Sequence, residues 1–198
     1  MDEDISLMFE VQRDDLKAFE RLYGKYHKTI ANFFFRMGCD PGSVHDCVQE
    51  VFMRIWRSRH GYRPDAKFTT FLFQIAKNYW INENDKKKRR PFFFSLSASP
   101  KNDDESARVF EIDSKDISPQ DRMIEKEVEE KIRQAIASLK EKHRIVFILS
   151  EIEGLKYKEI ADILGIPVGT VKSRIAIAEK KLRTKLAPYL TDSQEKGE

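Results

Sequence analysis

Cysteine is rare in this sequence, and long apolar runs are missing. The 198 residues include two cysteines, Cys39 and Cys47, and with His45 between them they do not complete the four donors of a structural zinc site. We therefore expect two reduced thiols near a core face, with no metal and no cofactor. No window reaches the roughly 18 apolar residues of a membrane span, and no basic start precedes an apolar stretch at the N-terminus. We expect a soluble, intracellular protein without membrane insertion.

Signatures of catalysis are missing as well. The sequence has no glycine-rich loop for phosphates, no zinc set of cysteine and histidine, and no evident nucleophile beside a base. The sequence therefore gives little support to the hypothesis of an enzyme that modifies nucleic acid, and we predict no catalytic residue. No alternation of apolar and polar residues is bounded by hairpin turns. The predicted fold class is all-α, and the chain length suits two small helical domains.

Charge is abundant and unevenly distributed. Charged residues make up 35% of the chain, against about 25% in typical globular proteins. The net charge is only +3, but residues 77–90 carry six basic and two acidic side chains, and residues 156–185 carry eight basic and three acidic ones. Between them, residues 101–130 carry five basic and eleven acidic side chains. The sequence thus has two basic segments that flank an acidic one.

Three helices are predicted in the N-terminal half. Apolar residues at helical steps predict the first over Asp14–Met37. Asp40, Pro41 and Gly42 indicate a turn, after which Ser43 can cap a second helix. Its apolar stripe is formed by Val44, Val48, Val51, Phe52 and Ile55. Its other face carries Asp46, Gln49, Glu50, Met53, Arg54 and Arg57. A loop over Ser58–Lys67 precedes a third helix, capped by Thr69, that runs towards Pro91.

The C-terminal half begins with a predicted linker. From Phe92 to about residue 120 no helical period survives, and Ser, Pro, Asn and Asp dominate. Helical spacing returns at Met123 and ends at Gly154. Two further helices are predicted over Tyr157–Leu164 and from Pro167 or Val168 to about residue 186, with a tight turn between them. This is the outline of a helix-turn-helix.

The last helix has one apolar and one basic face. At about 100° per residue, Val171, Ile175, Ala178 and Leu182 form a seam that we expect to be buried. The opposite face combines small residues, hydroxyls and cations: Gly169, Lys172, Ser173, Ala176 and Lys180, with Thr170 and Ile177 on one flank. Such a face suits a DNA major groove about 12 Å wide. The alternative is a solvated basic helix with an apolar core face.

The other basic segment is of a different kind. Lys77, Asn78, Tyr79, Trp80 and Asn82 interleave cations with aromatic rings and amides, a mixture that binds unpaired nucleic acid strands. The alternative is that this segment has no binding role. It is stronger here than for the last helix, because Tyr79 and Trp80 are also suited to a hydrophobic core, and the run KKKRR, residues 86–90, is also suited to a solvated helix end.

Three motifs, in order, resemble those of the extracytoplasmic-function group of bacterial RNA polymerase sigma factors. DCVQEVFMRIW, Asp46–Trp56, resembles the helix that grips the clamp coiled coil of the largest polymerase subunit. FTTFLFQIAKNYW, Phe68–Trp80, is similar to the promoter-melting helix. HRIVFILSEIEGLKYKEIADILGIPVGTVKSRI, His143–Ile175, is similar to the C-terminal helix-turn-helix. The resemblance covers nearly the whole chain.

The resemblance implies roles for three groups of residues. Core polymerase would be contacted by Asp46, Gln49, Glu50, Arg54 and Trp56. The downstream promoter element would be bound as a melted strand by the Ser58–Lys67 loop and by the helix that follows it. The residues implied are Arg63, Lys67, Lys77, Asn78 and Asn82. The duplex upstream element would be bound by Thr170, Lys172, Ser173, Arg174 and Lys180.

The resemblance also implies a domain plan and a set of partners. A sigma region 2 domain would occupy residues 1–91, a flexible acidic linker residues 92–121, a sigma region 4 domain residues 122–190, and a tail residues 191–198. The expected partners are core RNA polymerase, promoter DNA and an anti-sigma factor, all in the bacterial cytoplasm. Ile177 and Glu179 stand where relatives often carry arginines, and Phe71 and Asn82 stand where Trp and Asp are common. These four positions leave both promoter sequences open.

A free-standing regulator is the alternative to a dissociable sigma subunit. It would join the same C-terminal module to a dimerisation or sensor domain and bind a palindrome whose half-sites lie one helical turn apart. The outer face of residues 46–56 is polar and aromatic, whereas a dimerisation helix favours Leu and Ile there. That face favours the sigma subunit.

Overall fold

The structure, a computed structural model, describes residues 2–89 and 119–191, and all regular secondary structure within these ranges is helical. The predicted all-α fold is therefore confirmed for the described chain. Most of the predicted linker (residues 92–118) and all of the predicted tail except its first residue (residues 192–198) lie outside the described residues. No helix within residues 2–89 and 119–191 is long and apolar enough to cross a membrane.

The chain divides into two compact helical units. The first unit contains α1 (Glu3–Gln12), α2 (Leu16–Met37) as far as Phe35, α3 (Pro41–Ser58), a 3-10 turn (Arg59–Gly61) and α4 (Phe68–Arg89). The second unit contains α5 (Pro119–Ala137), α6 (Glu141–Phe147), a π-helical turn (Ile148–Ile152), α7 (Tyr157–Leu164) and α8 (Val168–Thr191).

The first helix was not predicted, and it changes where the second begins. Asp2 caps α1 by accepting the backbone N–H of Asp4 at 3.2 Å. After α1, Asp14 takes a left-handed backbone conformation with φ 66°, and Asp15 accepts the N–H of Lys17 at 2.8 Å. The predicted start of the second helix at Asp14 is therefore wrong by two residues, because Asp15 is the capping side chain.

Two other predicted caps are also wrong. Pro41 is the first residue of α3, since its fixed φ and missing N–H suit that position, so Ser43 lies inside the helix rather than before it. The third predicted helix begins at Phe68, and the carbonyl oxygen of Lys67 accepts the N–H of Thr70 at 3.0 Å. Thr69 is therefore a helical residue and not the cap.

Apolar stripes and aromatic contacts hold the first unit together. The predicted stripe of α3 is confirmed: Val44, Val48, Val51, Phe52 and Ile55 are all buried. Phe33 of α2 lies 5.5 Å from Phe73 of α4 between ring centroids, in an edge-to-face arrangement. Leu16, which belongs to the predicted apolar pattern of α2, is instead 61% exposed in the first turn.

A buried carboxylate fixes α1 against α2. Asp4 is 6% exposed, accepts the hydroxyl of Tyr26 and lies 2.5 Å from the Nζ of Lys25. The hydrogen bond to Asp4 raises the pKa of Lys25, and burial together with the same carboxylate raises that of Tyr26. The contacts with these two donors offset the desolvation cost of burying the carboxylate, and they hold α1 in a defined position against α2.

The second unit contains the predicted helix-turn-helix. The predicted bounds of α7, Tyr157–Leu164, are confirmed, while α8 extends beyond the predicted residue 186 to Thr191 and includes Pro188. Pro167 lies just before α8 and accepts the N–H of Thr170 at 2.8 Å, so the helix starts at Val168. Along α5, Ala135 and Ile136 are buried, whereas Val128 and Ile132 are exposed.

A buried histidine links α6 to the last helix. His143 is 6% exposed, and its Nδ1 lies 3.4 Å from the carbonyl oxygen of Arg174. Burial lowers the pKa of His143, the carbonyl contact opposes that shift, and the nearby charges of Lys142, Lys181 and Arg174 add to the lowering. The imidazole is therefore held in its neutral form in the folded unit.

Because the unfolded chain binds this proton more readily than the folded one, stability should fall as the pH drops through the ordinary histidine pKa of about 6.5. We expect the thermal unfolding midpoint of the protein to be lower at pH 5.5 than at pH 7.5. His143→Gln should flatten that dependence relative to the wild type, as measured by circular dichroism. An identical pH profile for both proteins would contradict a buried neutral His143.

Candidate polymerase and promoter interfaces

The seam and the outer face of α8 lie as the sequence predicts. Val171, Ile175, Ala178 and Leu182 are buried, with Val171 at 0% and Ile175 at 2% exposure. The residues on the opposite side are exposed: Gly169, Lys172, Ser173, Ala176 and Lys180. The helix therefore presents small side chains and cations to solvent, which permits close approach to an anionic duplex.

A glycine turn sets the approach of α7 to α8. Gly165 follows α7 with φ 66° and ψ 39°, a left-handed conformation that glycine takes without steric cost, and its N–H bonds to the carbonyl of Ala161 at 2.8 Å. The N–H of Ile166 bonds to the same carbonyl at 3.1 Å. These two bonds end α7 abruptly, so the chain enters α8 within a few residues.

The remaining predicted upstream-element residues lie at the edge of the exposed face. Thr170 and Arg174 are half-buried, and Ile177 is 43% exposed. The hydroxyl of Ser173 donates to the carbonyl oxygen of Thr170 at 3.0 Å, which leaves its oxygen available as an acceptor. Of the five predicted residues, Lys172, Ser173 and Lys180 thus lie on the exposed face of α8, and Thr170 and Arg174 flank it.

The outer face of α3 carries the predicted polymerase contacts, and several of them already bond to one another. Asp46 and Gln49 are exposed, and the Nε2 atoms of Gln49 and His45 lie 2.9 Å apart. Glu50 and Arg54 are half-buried and form an ion pair at 2.8 Å. A partner that binds α3 would therefore contact the exposed carboxylate of Asp46. One turn further along the helix it would contact the Glu50–Arg54 ion pair, in which the two charges offset each other.

Trp56 differs from the other four predicted polymerase residues. Its ring lies 5.1 Å from that of Phe19, and the guanidinium of Arg59 lies 4.3 Å from its centroid. The side chain is half-buried between α2 and the 3-10 turn. Trp56 therefore contributes to packing within the first unit, and its contact with polymerase stays a prediction.

On α4, the structure separates the core residues from the surface ones. Trp80 is 6% exposed, and Tyr79 is half-buried with its ring 5.7 Å from Phe34, so the core alternative is confirmed for Trp80. Asn78 and Asn82 are exposed, while Lys77 is half-buried and burial lowers its pKa. An aromatic stacking platform is not presented at this part of α4.

An open groove runs between α3 and α4. It has a volume of about 360 Å³ and is lined by Arg54, Arg57, Ser58, Ile75 and Asn78. The guanidinium of Arg54 also lies 5.0 Å from the ring centroid of Tyr79. A residue predicted to bind polymerase and one predicted to bind DNA thus line the same groove.

The loop that precedes α4 is anchored at its start and exposed further along. Arg63 and Lys67 are exposed, as their predicted role requires. Tyr62 is 5% exposed, and its backbone carbonyl accepts the Nε2 of Gln12 at 2.8 Å. Arg59 pairs with Asp14 at 2.6 Å. No local pattern in the sequence indicates these contacts of Gln12 and Asp14, because both contacts join residues that are 45 or more positions apart.

Two helical units, one of them a helix-turn-helix with a basic outer face, define a DNA-binding protein of the transcription class. Comparison with known families identifies both units. Residues 22–90 match the family described as Sigma-70 region 2, and residues 129–182 match Sigma-70, region 4.

Curated relatives match over nearly their whole length. The chain is 36% identical to the RNA polymerase sigma-H factor of Pseudomonas aeruginosa over 195 residues, covering 97% of this chain and 98% of that protein. It is 35% identical to the ECF RNA polymerase sigma-E factor of Escherichia coli over 185 residues, covering 93% and 94% respectively. The chain therefore belongs to the extracytoplasmic-function sigma factors of the sigma-70 family. Its function is to direct RNA polymerase to promoters and to promote initiation there.

Two solved structures share the fold. CnrH in complex with the cytosolic domain of CnrY gives a TM-score of 0.66 at 24% identity, over 94% of this chain and 99% of that one. The sigma factor RpoE in complex with the anti-sigma factor NepR, from Bartonella quintana, gives 0.65 at 20% identity, over 86% and 98%. These likenesses support the all-helical fold.

Two isoleucines on α8 provide a matched test of its orientation. Ile175→Ala should lower the free energy of unfolding by about 2 to 5 kcal/mol, because it removes buried methyl groups from the seam. Ile177→Ala makes the same chemical change on the exposed side and should cost less than about 0.5 kcal/mol. Urea unfolding of the two variants measures both values. Equal costs would mean that α8 buries a different face.

Proposed function

We propose that three separate surfaces carry out the sigma function of this chain, two on the first unit and one on the second. The observation that carries the proposal is the division of each helix into a buried stripe and a polar outer face, as on α3 and α8. Each surface presents the residue types that its partner requires. The protein acts by binding, without covalent chemistry, and works in the cytoplasm where polymerase and DNA are found.

The upstream promoter element is bound as a duplex by the outer side of α8. Lys172 and Ser173 stand on the exposed face, where a lysine can donate to guanine and a hydroxyl can donate or accept. Thr170 and Arg174 flank them, and Lys180 lies two turns further along, where it suits phosphate oxygens. The departures at Ile177 and Glu179 place an apolar group and a carboxylate near the groove, so this sigma factor has its own upstream sequence.

The downstream element is bound as a melted strand by the first unit. Arg63 and Lys67 are exposed on the loop before α4, and Asn78 and Asn82 are exposed on α4 itself. Lys77 directly precedes Asn78 on α4 and is half-buried. Burial lowers the pKa of its ammonium group because water solvates the charge less well there. Captured bases stabilise the open state because these contacts exist only after melting.

Core polymerase is bound by the outer face of α3. Asp46 and Gln49 supply exposed polar groups, and the Glu50–Arg54 pair supplies both charges at a fixed spacing of 2.8 Å. Trp56 contributes by holding the end of α3 against Phe19. A contact surface that mixes charge and amide groups suits a partner from which the subunit dissociates after initiation.

An anti-sigma factor is the expected inhibitor. The sigma factor RpoE, which has the same fold, is known in a complex with the anti-sigma factor NepR. We extend that partner class to this chain, which would be held inactive until a signal releases it.

The deciding experiment for the sigma function is transcription in vitro by core RNA polymerase, with and without this protein, on promoter fragments from its genomic neighbourhood. Discrete transcripts that require both proteins are the expected result, and their start sites identify the promoter. Binding of the protein alone to a palindromic site, with no effect on polymerase, would favour the free-standing regulator instead.

Two lysines on α8 separate base reading from phosphate binding. Lys172→Ala should change the preferred bases in the upstream element, because Lys172 is exposed on the face of α8 that we propose enters the major groove. Lys185→Ala, the same change at an exposed position further along the helix, should weaken binding about equally for all sequences. Selection from a library randomised in the upstream element measures both. An unaltered preference with Lys172→Ala would remove this residue from direct readout.

A charge reversal tests the polymerase surface. Asp46→Lys should weaken core polymerase binding by about tenfold, and by less at high salt, since the contact is electrostatic. Glu20→Lys reverses an exposed carboxylate on α2 and serves as the control. Asp46 is preferable to Glu50 because reversing Glu50 also breaks its pair with Arg54. Wild-type affinity in Asp46→Lys, with native helicity, would move the docking surface elsewhere.

A further inference from the structure

The loop that would meet the melted strand is held in place by groups outside it. We call residues 59–67 the capture loop; it comprises the 3-10 turn and the segment that leads to α4. Two of its polar contacts with the preceding chain come from side chains at and just after the end of α1. Gln12 donates to the carbonyl of Tyr62 at 2.8 Å, and Asp14 accepts from the Nε of Arg59 at 2.6 Å.

The first of these contacts fixes the middle of the capture loop. Tyr62 is 5% exposed and its ring lies 5.0 Å from that of Phe71, so the side chain is buried under the loop. Its hydroxyl has no hydrogen-bond partner among the described residues. The bond from Gln12 is therefore the polar anchor that reaches Tyr62 from outside the loop. Arg63, the next residue, is exposed.

The second contact fixes the start of the capture loop. Arg59 is 17% exposed at its side chain, and besides pairing with Asp14 it donates its Nη1 to the carbonyl of Trp56 at 2.7 Å. Its guanidinium also covers the ring of Trp56 at 4.3 Å. A planar group with three directional contacts has one preferred position, so Arg59 ties the loop to the end of α3 and to Asp14 together.

Asp14 holds this position at a conformational cost. It has φ 66°, and no other residue except glycine has a positive φ within residues 2–89 and 119–191. Aspartate tolerates this region better than most residues, but the conformation remains unfavourable. The turn between α1 and α2 thereby directs the Asp14 carboxylate towards Arg59.

The other end of α1 is anchored independently. Asp4 is bonded to Lys25 and Tyr26 of α2, and Leu7, Met8 and Val11 are buried. The helix therefore acts as a rigid strut between α2 and the capture loop. A rigid support lets a binding loop meet its ligand without first becoming ordered, which reduces the entropic cost of binding.

We propose that Gln12 and Asp14 are positioning residues for melted-strand binding: they hold the capture loop so that Arg63 and Lys67 are presented to the unpaired downstream element. This inference rests on the proposed function of the loop and assigns a positioning role to the end of α1. The effect should be largest for the melted strand, because both contacts are made to residues of the capture loop.

The test compares three substitutions in the reconstituted holoenzyme. Asp14→Gly removes the carboxylate while keeping the backbone, since glycine adopts a positive φ freely. Asp14→Asn tolerates the same backbone and keeps an oxygen acceptor for Arg59. Gln12→Met keeps the length of the side chain and removes the donor. Glu3→Ala, which breaks an exposed pair with Arg21 on the same helix, is the matched control.

The probe is a fork fragment of the mapped promoter, duplex through the upstream element and unpaired through the downstream element. We expect Asp14→Gly and Gln12→Met each to raise its dissociation constant by about tenfold. Asp14→Asn and Glu3→Ala should stay within about twofold of wild type. Core polymerase affinity, binding of the upstream duplex alone and the unfolding midpoint should be unchanged in all four.

Two outcomes would overturn the inference. One is wild-type affinity for the fork fragment in both Asp14→Gly and Gln12→Met. The other is a loss of affinity for the fork fragment that is accompanied by an equal loss of polymerase affinity and by a lower unfolding midpoint. The contacts would then only stabilise the fold. If Asp14→Gly fails to fold, the affinity of Gln12→Met for the fork fragment alone tests the inference. Failure of the proposed function is distinguishable, because the wild-type holoenzyme would then bind the fork fragment no better than the fully paired promoter.

Discussion

An α-helix that buries one side can offer only the other side to a partner, and this constraint determines which residues the protein can present to polymerase and DNA. On α8, burial of Val171 and Ile175 turns Lys172 and Ser173 outwards. On α3, burial of Val51 and Ile55 leaves Asp46 and Gln49 at the surface in the same way. The apolar seams therefore specify function indirectly, because they fix the orientation of polar residues that contribute little to stability.

The polar surfaces of the first unit are pre-organised to different degrees. Glu50 and Arg54 satisfy each other at 2.8 Å, so a partner gains little from either charge alone and must accommodate the pair. Asp46 is exposed and can respond fully to a cationic partner. In the groove beside them, Arg54 and Asn78 line the same space, which places the predicted polymerase and DNA contacts next to each other. The two predicted binding surfaces are thus adjacent rather than separated on the first unit.

The sequence predicts this molecule best where a pattern repeats. The seam of α8, the stripe of α3 and the bounds of α7 follow from helical periodicity and a glycine stop. Helix starts were less predictable, since several residues near each start can begin or cap the helix: α2 was predicted to begin at Asp14 but is capped by Asp15, and α3 begins at Pro41, before the predicted cap Ser43. The short α1 was missed, and with it Gln12, whose contact with Tyr62 joins residues 50 positions apart. Contacts of that range depend on the assembled fold and leave no local signal.

The position of the two tryptophans gives the protein an internal optical reporter. Trp80 is buried in the first unit, with its ring 6.2 Å from Phe34, and is shielded from events at the surface. Trp56 lies directly under the guanidinium of Arg59, at the point where α3 meets the loop. A displacement of Arg59 would remove a cation from the indole face and change its emission, while Trp80 supplies a constant background. A displacement of Arg59 on binding can therefore be followed in real time with the unlabelled protein.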